Sequence, residues 1–373
     1  MKRVVLLLCF AITSCTAYKQ ISNEQITVKS GCEVLDLSRG HALMNVSLEG
    51  TQHAFMFDTG ATVSTLNDST IVADFSNRKF GTLPIPMSGA DSKKIKRRIF
   101  TTQFENELFH SENKTLSAIS MPRTKCQGKP LKGIIGLDCF FNDDKPLFLN
   151  FTDAKACNIT RAEMQARLSQ GYHKIKSSCN RNAIHVYLTI AGQERKMLLD
   201  TGHSGQLIIP ASSGVNLEPH QPYRVLEGMV YQTVASTTDG TESYYDRVPV
   251  QFAGEEVLTQ PLVSGTLTSE LIGLQFIKGF DWLIDYDRNE VYVKRNHLKI
   301  EETSVRKPYY AKADEKLIVY IKEKNQTKYR LGDEIVSVNG KTVTPENSCE
   351  MQSLLNKTQD WDTLDLEVIP ASK

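Results

Sequence analysis

The sequence carries almost no net charge: 44 Lys and Arg stand against 43 Asp and Glu, a formal +1. That removes the whole-chain electrostatic footprint that nucleic-acid binding calls for. The lysine-rich stretches are scattered and lack the interleaved aromatics that would stack on bases, so no nucleic-acid partner is expected. The chain has no Cys-x-x-Cys pair and no Cys/His cluster at zinc-ligand spacing, so no metal site and no cofactor are expected. The apolar run at residues 4–12 is too short to span a bilayer. What remains is an ordinary globular composition, 40% apolar and 23% charged, and 373 residues leave room for two to three domains.

The N-terminus reads as a targeting signal. Lys2 and Arg3 precede the apolar run, which ends at Ile12-Thr13-Ser14-Cys15. This resembles a bacterial lipobox. The resemblance implies a signal peptide at residues 1–14, Cys15 as the acylated first residue of the mature chain, and a polar tether at 15–25. It also implies a lipoprotein held by its lipid anchor at the outer membrane, on the periplasmic face, or at the cell surface. An ordinary cleaved signal with an incidental Cys15 predicts export as well. Six further cysteines (Cys32, Cys126, Cys139, Cys157, Cys179 and Cys349) are then in a compartment that permits disulfides, and their 15 possible pairings stay open.

One tripeptide occurs twice. Asp58-Thr59-Gly60 closes the apolar run Ala54-Phe55-Met56-Phe57, and Asp200-Thr201-Gly202 closes Lys196-Met197-Leu198-Leu199. The two aspartates are 142 residues apart, and at that shift residues 41–58 align on 183–200 without a gap. Each copy reads strand, Gly turn, strand, Asp-Thr-Gly, with Glu49-Gly50-Thr51 as the first hairpin turn. Each has a matched element downstream: Gly133-Ile134-Ile135-Gly136-Leu137 in the first, Glu270-Leu271-Ile272-Gly273-Leu274 in the second. Between the copies, residues 160–168 read as a helix, with Thr160 and Glu163 as a capping box and Gly171 as its end. Residues 294–307 are charged and read as a linker before a small third unit. There Pro345 suits the first turn of a helix with Met351, Leu354 and Leu355 on its apolar side, and Leu364, Leu366 and Val368 alternate in a final strand.

Paired aspartates are a hydrolytic device. Two carboxylates held about 3 Å apart cannot both ionise, so they share one proton. The ionised member takes a proton from water, and the protonated member donates to the carbonyl oxygen and then assists the leaving amine. Gly60 and Gly202 let the turns bring backbone close to the carboxylates. Thr59 and Thr201 are placed to hydrogen-bond across the two turns.

Phe57-Asp58-Thr59-Gly60-Ala61-Thr62 and Leu199-Asp200-Thr201-Gly202-His203-Ser204 resemble the two active-site turns of aspartic proteases. Ile134-Ile135-Gly136 and Leu271-Ile272-Gly273 resemble the hydrophobic-hydrophobic-Gly element beneath each turn in that family. The resemblance implies an all-β, bilobal fold of two β-barrel lobes with the active site between them. Lobe 1 spans 26–159, a linker helix 160–171 and lobe 2 172–297. It implies a monomeric endopeptidase acting on a protein or peptide substrate through Asp58 and Asp200. Pairing of lobes between two chains, as in retroviral-type protomers, is the other assembly.

His203 departs from the family, which places a small residue after the turn. It is either a hydrogen-bonded histidine beside the cleft or a group that touches substrate or shifts the dyad's proton affinity. A non-catalytic peptide-binding scaffold is the alternative function that this departure favours. The resemblance also implies a hairpin flap closing the cleft, expected in lobe 1 near residues 86–104, with Lys93, Lys94, Lys96, Arg97 and Arg98. These are either a solvated hairpin edge or a contact for acidic substrate or membrane. The flap of lobe 2 falls at 230–245, with Tyr231, Tyr244 and Tyr245 as candidate flap tyrosines. Residues 308–373 resemble a small α+β PDZ domain, chiefly through Leu331-Gly332-Asp333-Glu334-Ile335-Val336-Ser337-Val338-Asn339-Gly340-Lys341. That implies capture of a peptide C-terminus; a purely structural role is equally open.

Overall fold

The structure is a computed structural model and describes residues 24–38, 40–67, 81–82, 87–88, 94–95, 97–121, 125–126, 131–141, 144–217, 222, 224–233, 236–300 and 307–371. The chain is all-β, with short helices at Arg161–Leu168, Leu274–Ile277 and Ser348–Lys357 among the described residues.

In the first half, six strands close a barrel. Leu43–Leu48 pairs with Thr51–Phe57, which runs parallel to Gly133–Ile135. The ring continues through Thr65–Asn67, Phe109–Ile119 and Arg98–Glu105, and the last returns to Leu43–Leu48. The second half repeats these pairings in sequence order. Ile184–Ile190 pairs with Gln193–Asp200, which runs parallel to Leu271–Gly273, followed by Leu207–Pro210 and Pro261–Ser264. The hairpin turns match in backbone conformation as well as in sequence. Glu49 and Gly50 have φ of 50° and 79°, and Ala191 and Gly192 have φ of 49° and 74°. Two successive positive-φ residues give the turn hand that suits the twist of a two-residue hairpin.

Among the described residues, the second half does not close on itself. Pro261–Ser264 pairs with Thr237–Tyr244, whose hairpin partner Arg224–Gln232 pairs onward with Leu317–Glu323 from the C-terminal segment. A separate six-stranded sheet joins the halves, with Leu147–Asn150 against Phe280–Asp285 at its centre. The Cys32–Cys157 disulfide lies across its edge pair, and Cys126–Cys349 ties the first half to the C-terminal helix. Cys139 and Cys179 are free and buried.

One apolar core runs through both halves. Phe55, Phe57, Phe104, Phe109 and Phe140 meet at aromatic distances in the first, and Phe252, Phe276, Phe280 and Trp282 in the second. The C-terminal segment has its own core around Tyr309, Tyr329 and Trp361. Thr160 caps the helix Arg161–Leu168 with both bonds of a capping box, since its hydroxyl and Glu163 are one turn apart in sequence.

Several local expectations are corrected. The strand Glu290–Arg295 continues into the charged stretch, and Leu298 and Ile300 pack on the core, so the change in composition precedes the end of packed structure. Pro345 lies before the helix Ser348–Lys357, in a turn whose carbonyl accepts from Ser348 Oγ at 3.1 Å. Leu354 is exposed, because only Met351 and Leu355 of that helix face the small core.

Candidate active site

Each Asp turn is built from the same local bonds. Asp58 Oδ1 accepts from Gly60 N at 2.8 Å and Ala61 N at 3.1 Å; Asp200 Oδ1 accepts from Gly202 N at 2.9 Å and His203 N at 3.0 Å. The elements downstream lock the turns from behind. Leu137 N donates to Ala61 O at 2.9 Å, and Leu274 N to His203 O at 2.7 Å. A Cβ on Gly136 would stand 2.7 Å from Ala61 O, and one on Gly273 2.3 Å from Gly205 O, so neither position accepts a side chain.

The two turns are cross-bonded through buried threonines. Thr59 N donates to Thr201 Oγ1 at 3.0 Å, and Thr201 N to Thr59 Oγ1 at 3.1 Å. Each hydroxyl donates in turn to the strand that carries the opposite aspartate, Thr59 Oγ1 to Leu199 O at 2.7 Å and Thr201 Oγ1 to Phe57 O at 2.8 Å. The N–H and hydroxyl of both threonines are thereby used, which holds the turns at a fixed separation.

The aspartates end within hydrogen-bonding reach of each other. A Cβ on Gly60 would lie 2.7 Å from Asp200 Cγ, and one on Gly202 2.5 Å from Asp58 Cγ. Each glycine therefore makes room for the carboxyl of the other repeat. Burial raises the proton affinity of both carboxyls. Asp200 is held well above the ordinary aspartate range, by burial first and by the Asp58 charge second. Asp58 is raised by burial and partly restored by the bond to Asp200 and by turn N–H groups. One proton shared by the pair is the outcome.

The aspartates line a cavity of about 750 Å³. Val63 and Ile134 from the first half and Val230, Tyr231, Tyr244 and Leu262 from the second give it apolar walls. His203 lines it too. Its imidazole occupies space kept open by two glycines: a Cβ on Gly205 would stand 2.6 Å from His203 Nε2, and one on Gly273 2.4 Å from Cδ2. Burial, with His41 nearby, pushes its pKa down to about 4, so it is a neutral ring at neutral pH. Its main chain serves Asp200 as Ala61 serves Asp58.

Of the flap residues, Tyr231 and Tyr244 line the cavity, while Tyr245 packs on the core. Arg97 lines the cavity and donates to Ser117 Oγ at 3.3 Å; Lys94 is exposed and Arg98 partly buried. Lys93, Lys96 and Cys15, with the signal and most of the tether, lie outside the described residues.

Other residues at the site were not singled out in the sequence. Asp138 Oδ1 accepts from Ser64 N at 2.9 Å and Ser64 Oγ at 2.7 Å, and Gly136 N donates to Ser64 Oγ at 3.1 Å. Buried Lys114 pairs with Asp138 at 2.6 Å and Glu24 at 2.5 Å. This network braces the first turn alone; its one legible signal is an acidic residue directly after Gly136-Leu137. His41 and Glu242 also line the cavity.

In the C-terminal segment, the groove between Tyr309–Ala313 and Ser348–Lys357 is bridged from within. Asn356 accepts from Ala311 N and donates to Ala311 O, both at 2.8 Å, and Gln352 accepts from Ala313 N at 2.6 Å. The strand's outer backbone groups there are already paired. No protein-family model matches this chain, and no curated protein matches its sequence.

Proposed function

We propose that this chain is an aspartic endopeptidase whose Asp58/Asp200 pair activates water for peptide-bond hydrolysis. The observation that carries the reading is reciprocity. Two matching turns, cross-bonded through Thr59 and Thr201, bring one half-buried carboxyl each to the same cavity. A groove that only bound peptide would gain nothing from two desolvated carboxyls close enough to share one proton, with Asp58 raising the proton affinity of Asp200.

In this reading the ionised carboxylate takes a proton from water as its oxygen attacks the scissile carbonyl carbon, and the protonated carboxyl gives its proton to the carbonyl oxygen. The neutral tetrahedral diol then collapses. The C–N bond breaks, the nitrogen takes the proton gained from water, and a diol hydroxyl returns one to the other carboxyl. The pair ends with one proton, as it began. Both lobes belong to one chain, so a monomer suffices. The lipobox-like N-terminus would hold the enzyme on a membrane. The C-terminal segment is read as a brace on the second-half hairpin, because Asn356 and Gln352 of its own helix already bond the backbone of the strand Tyr309–Ala313.

The test is cleavage of a mixed peptide library by the wild type and by Asp58→Asn and Asp200→Asn. Each substitution should lower kcat by at least about a thousandfold with the fold retained. Peptide binding without cleavage by the wild type would favour the scaffold reading.

A further inference from the structure

Among the described residues, Glu242 is the acidic side chain that lines the cavity besides Asp58 and Asp200. It is 1% exposed, yet it lines the cavity. Its Oε2 accepts from Tyr244 Oη at 3.2 Å; the Ser264 hydroxyl stands beside the carboxyl but is engaged with Thr266 Oγ1 at 3.0 Å, and the buried Oε1 makes no hydrogen bond. No basic residue forms an ion pair with it among the described residues. Arg224, the nearby cation of the same hairpin, donates through one terminal nitrogen to Tyr310 Oη at 2.8 Å and lies over the Tyr244 ring, while its buried Nε is unpartnered and makes no ion pair with Glu242. A carboxyl buried without a counter-charge is costly and is retained in either of two forms, protonated or awaiting a cation.

The surroundings favour an awaited cation. Tyr244, two residues on along the strand, shares the face of Glu242 and is paired with Leu262. Tyr244, Leu262 and Val230 line the same cavity. An aliphatic stem can lie along these side chains while a charged end reaches the carboxyl, with the aromatic face adding to the attraction. We propose that Glu242 is a specificity-determining residue that selects substrates bearing a lysine or arginine side chain, received at its unpartnered Oε1. The inference rests on the peptide-cleft reading, but its test does not require turnover.

The test uses the full chain with Asp58→Asn and peptides of one neutral sequence in which a single lysine is walked through successive positions, against norleucine at each. At one position the lysine peptide should bind at least about tenfold more tightly, the scale of one hydrogen bond to a charged group. Glutamate there should bind weakest. Adding Glu242→Gln should reduce the lysine advantage to less than about twofold. The proposal is overturned if no position prefers lysine in the protein that keeps Glu242, a comparison that needs no folded Glu242 variant. It is equally overturned if the preference survives in a folded Glu242→Gln protein. Cleavage of the same peptides by the wild type is read separately. Binding without cleavage sinks the endopeptidase reading and leaves the Glu242 result standing. Failure of every peptide to bind sinks both.

Discussion

Gly228 and Tyr320 meet backbone to backbone: a Cβ on Gly228 would stand 2.3 Å from the Tyr320 carbonyl oxygen, and Gly228 has φ of +116°. The contact lies where the C-terminal strand joins the hairpin, beside the 2.7 Å ion pair of Lys322 with Glu227. Valine at 228 faces both a clash and a backbone conformation that β-branched residues avoid. Gly228→Val should cost about 2–3 kcal/mol in denaturant unfolding and raise hydrogen exchange across Arg224–Tyr244. Unchanged exchange there would refute the brace.

Under the proposed endopeptidase reading, the Asp58/Asp200 pair sets the pH range of activity. That reading requires one proton on the pair, and Asp200 holds its proton well above the ordinary aspartate range because it is buried beside Asp58. The alkaline limb of kcat/KM against pH should therefore fall above the range of free carboxylates. A limb near pH 4, the ordinary aspartate range, would contradict a shared proton.

Glu242 links stability to pH. Burial raises its carboxyl from 4.5 to about 7, with the Tyr244 and Ser264 hydroxyls opposing the shift. A raised folded-state pKa means that this stabilisation is complete below the unfolded value and is lost as pH rises through the folded one. Over the window from 4.5 to about 7 the wild type should lose about 3 kcal/mol relative to Glu242→Gln, at about 1.4 kcal/mol per unit. Denaturation midpoints of the two proteins from pH 4 to 8, a span of about four units around this transition, test it. Parallel curves would show that Glu242 does not titrate in that window.

The Cys126–Cys349 disulfide spans 223 residues and holds the C-terminal helix to the first half, with Lys125 Nζ bonded to Pro345 O at 2.8 Å. Replacing both cysteines by serine should cost about 2–4 kcal/mol, and limited proteolysis should release the C-terminal segment first. If the intact and disulfide-free proteins are cut at the same rate, the bond adds nothing to docking.

Local and repeated features were legible in the sequence. Thr160 and Glu163 make their capping box because they are one turn apart, whatever the rest of the chain does. Glu49-Gly50 and Ala191-Gly192 form matching turns because two residues alone set that geometry. The gapless alignment of residues 41–58 on 183–200 located both Asp-Thr-Gly turns, since a duplicated strand pair leaves the same pattern twice.

What the tertiary structure decided is where separate edges and faces meet. The order of residues does not reveal that Arg224–Gln232 pairs with Leu317–Glu323 rather than closing its own barrel, because an unpaired edge accepts any strand that reaches it. Nor does it reveal that Cys126 joins Cys349 or that Lys114 braces Asp138, since both depend on chain segments brought together only by folding. Glu242 reads as one more polar residue in an exposed-looking hairpin; its burial arises where that hairpin packs over the cavity. By itself the sequence determined two carboxylates on matched turns. The fold decided their approach, because the bonds of Thr59 and Thr201 across the two halves exist only when the halves are joined.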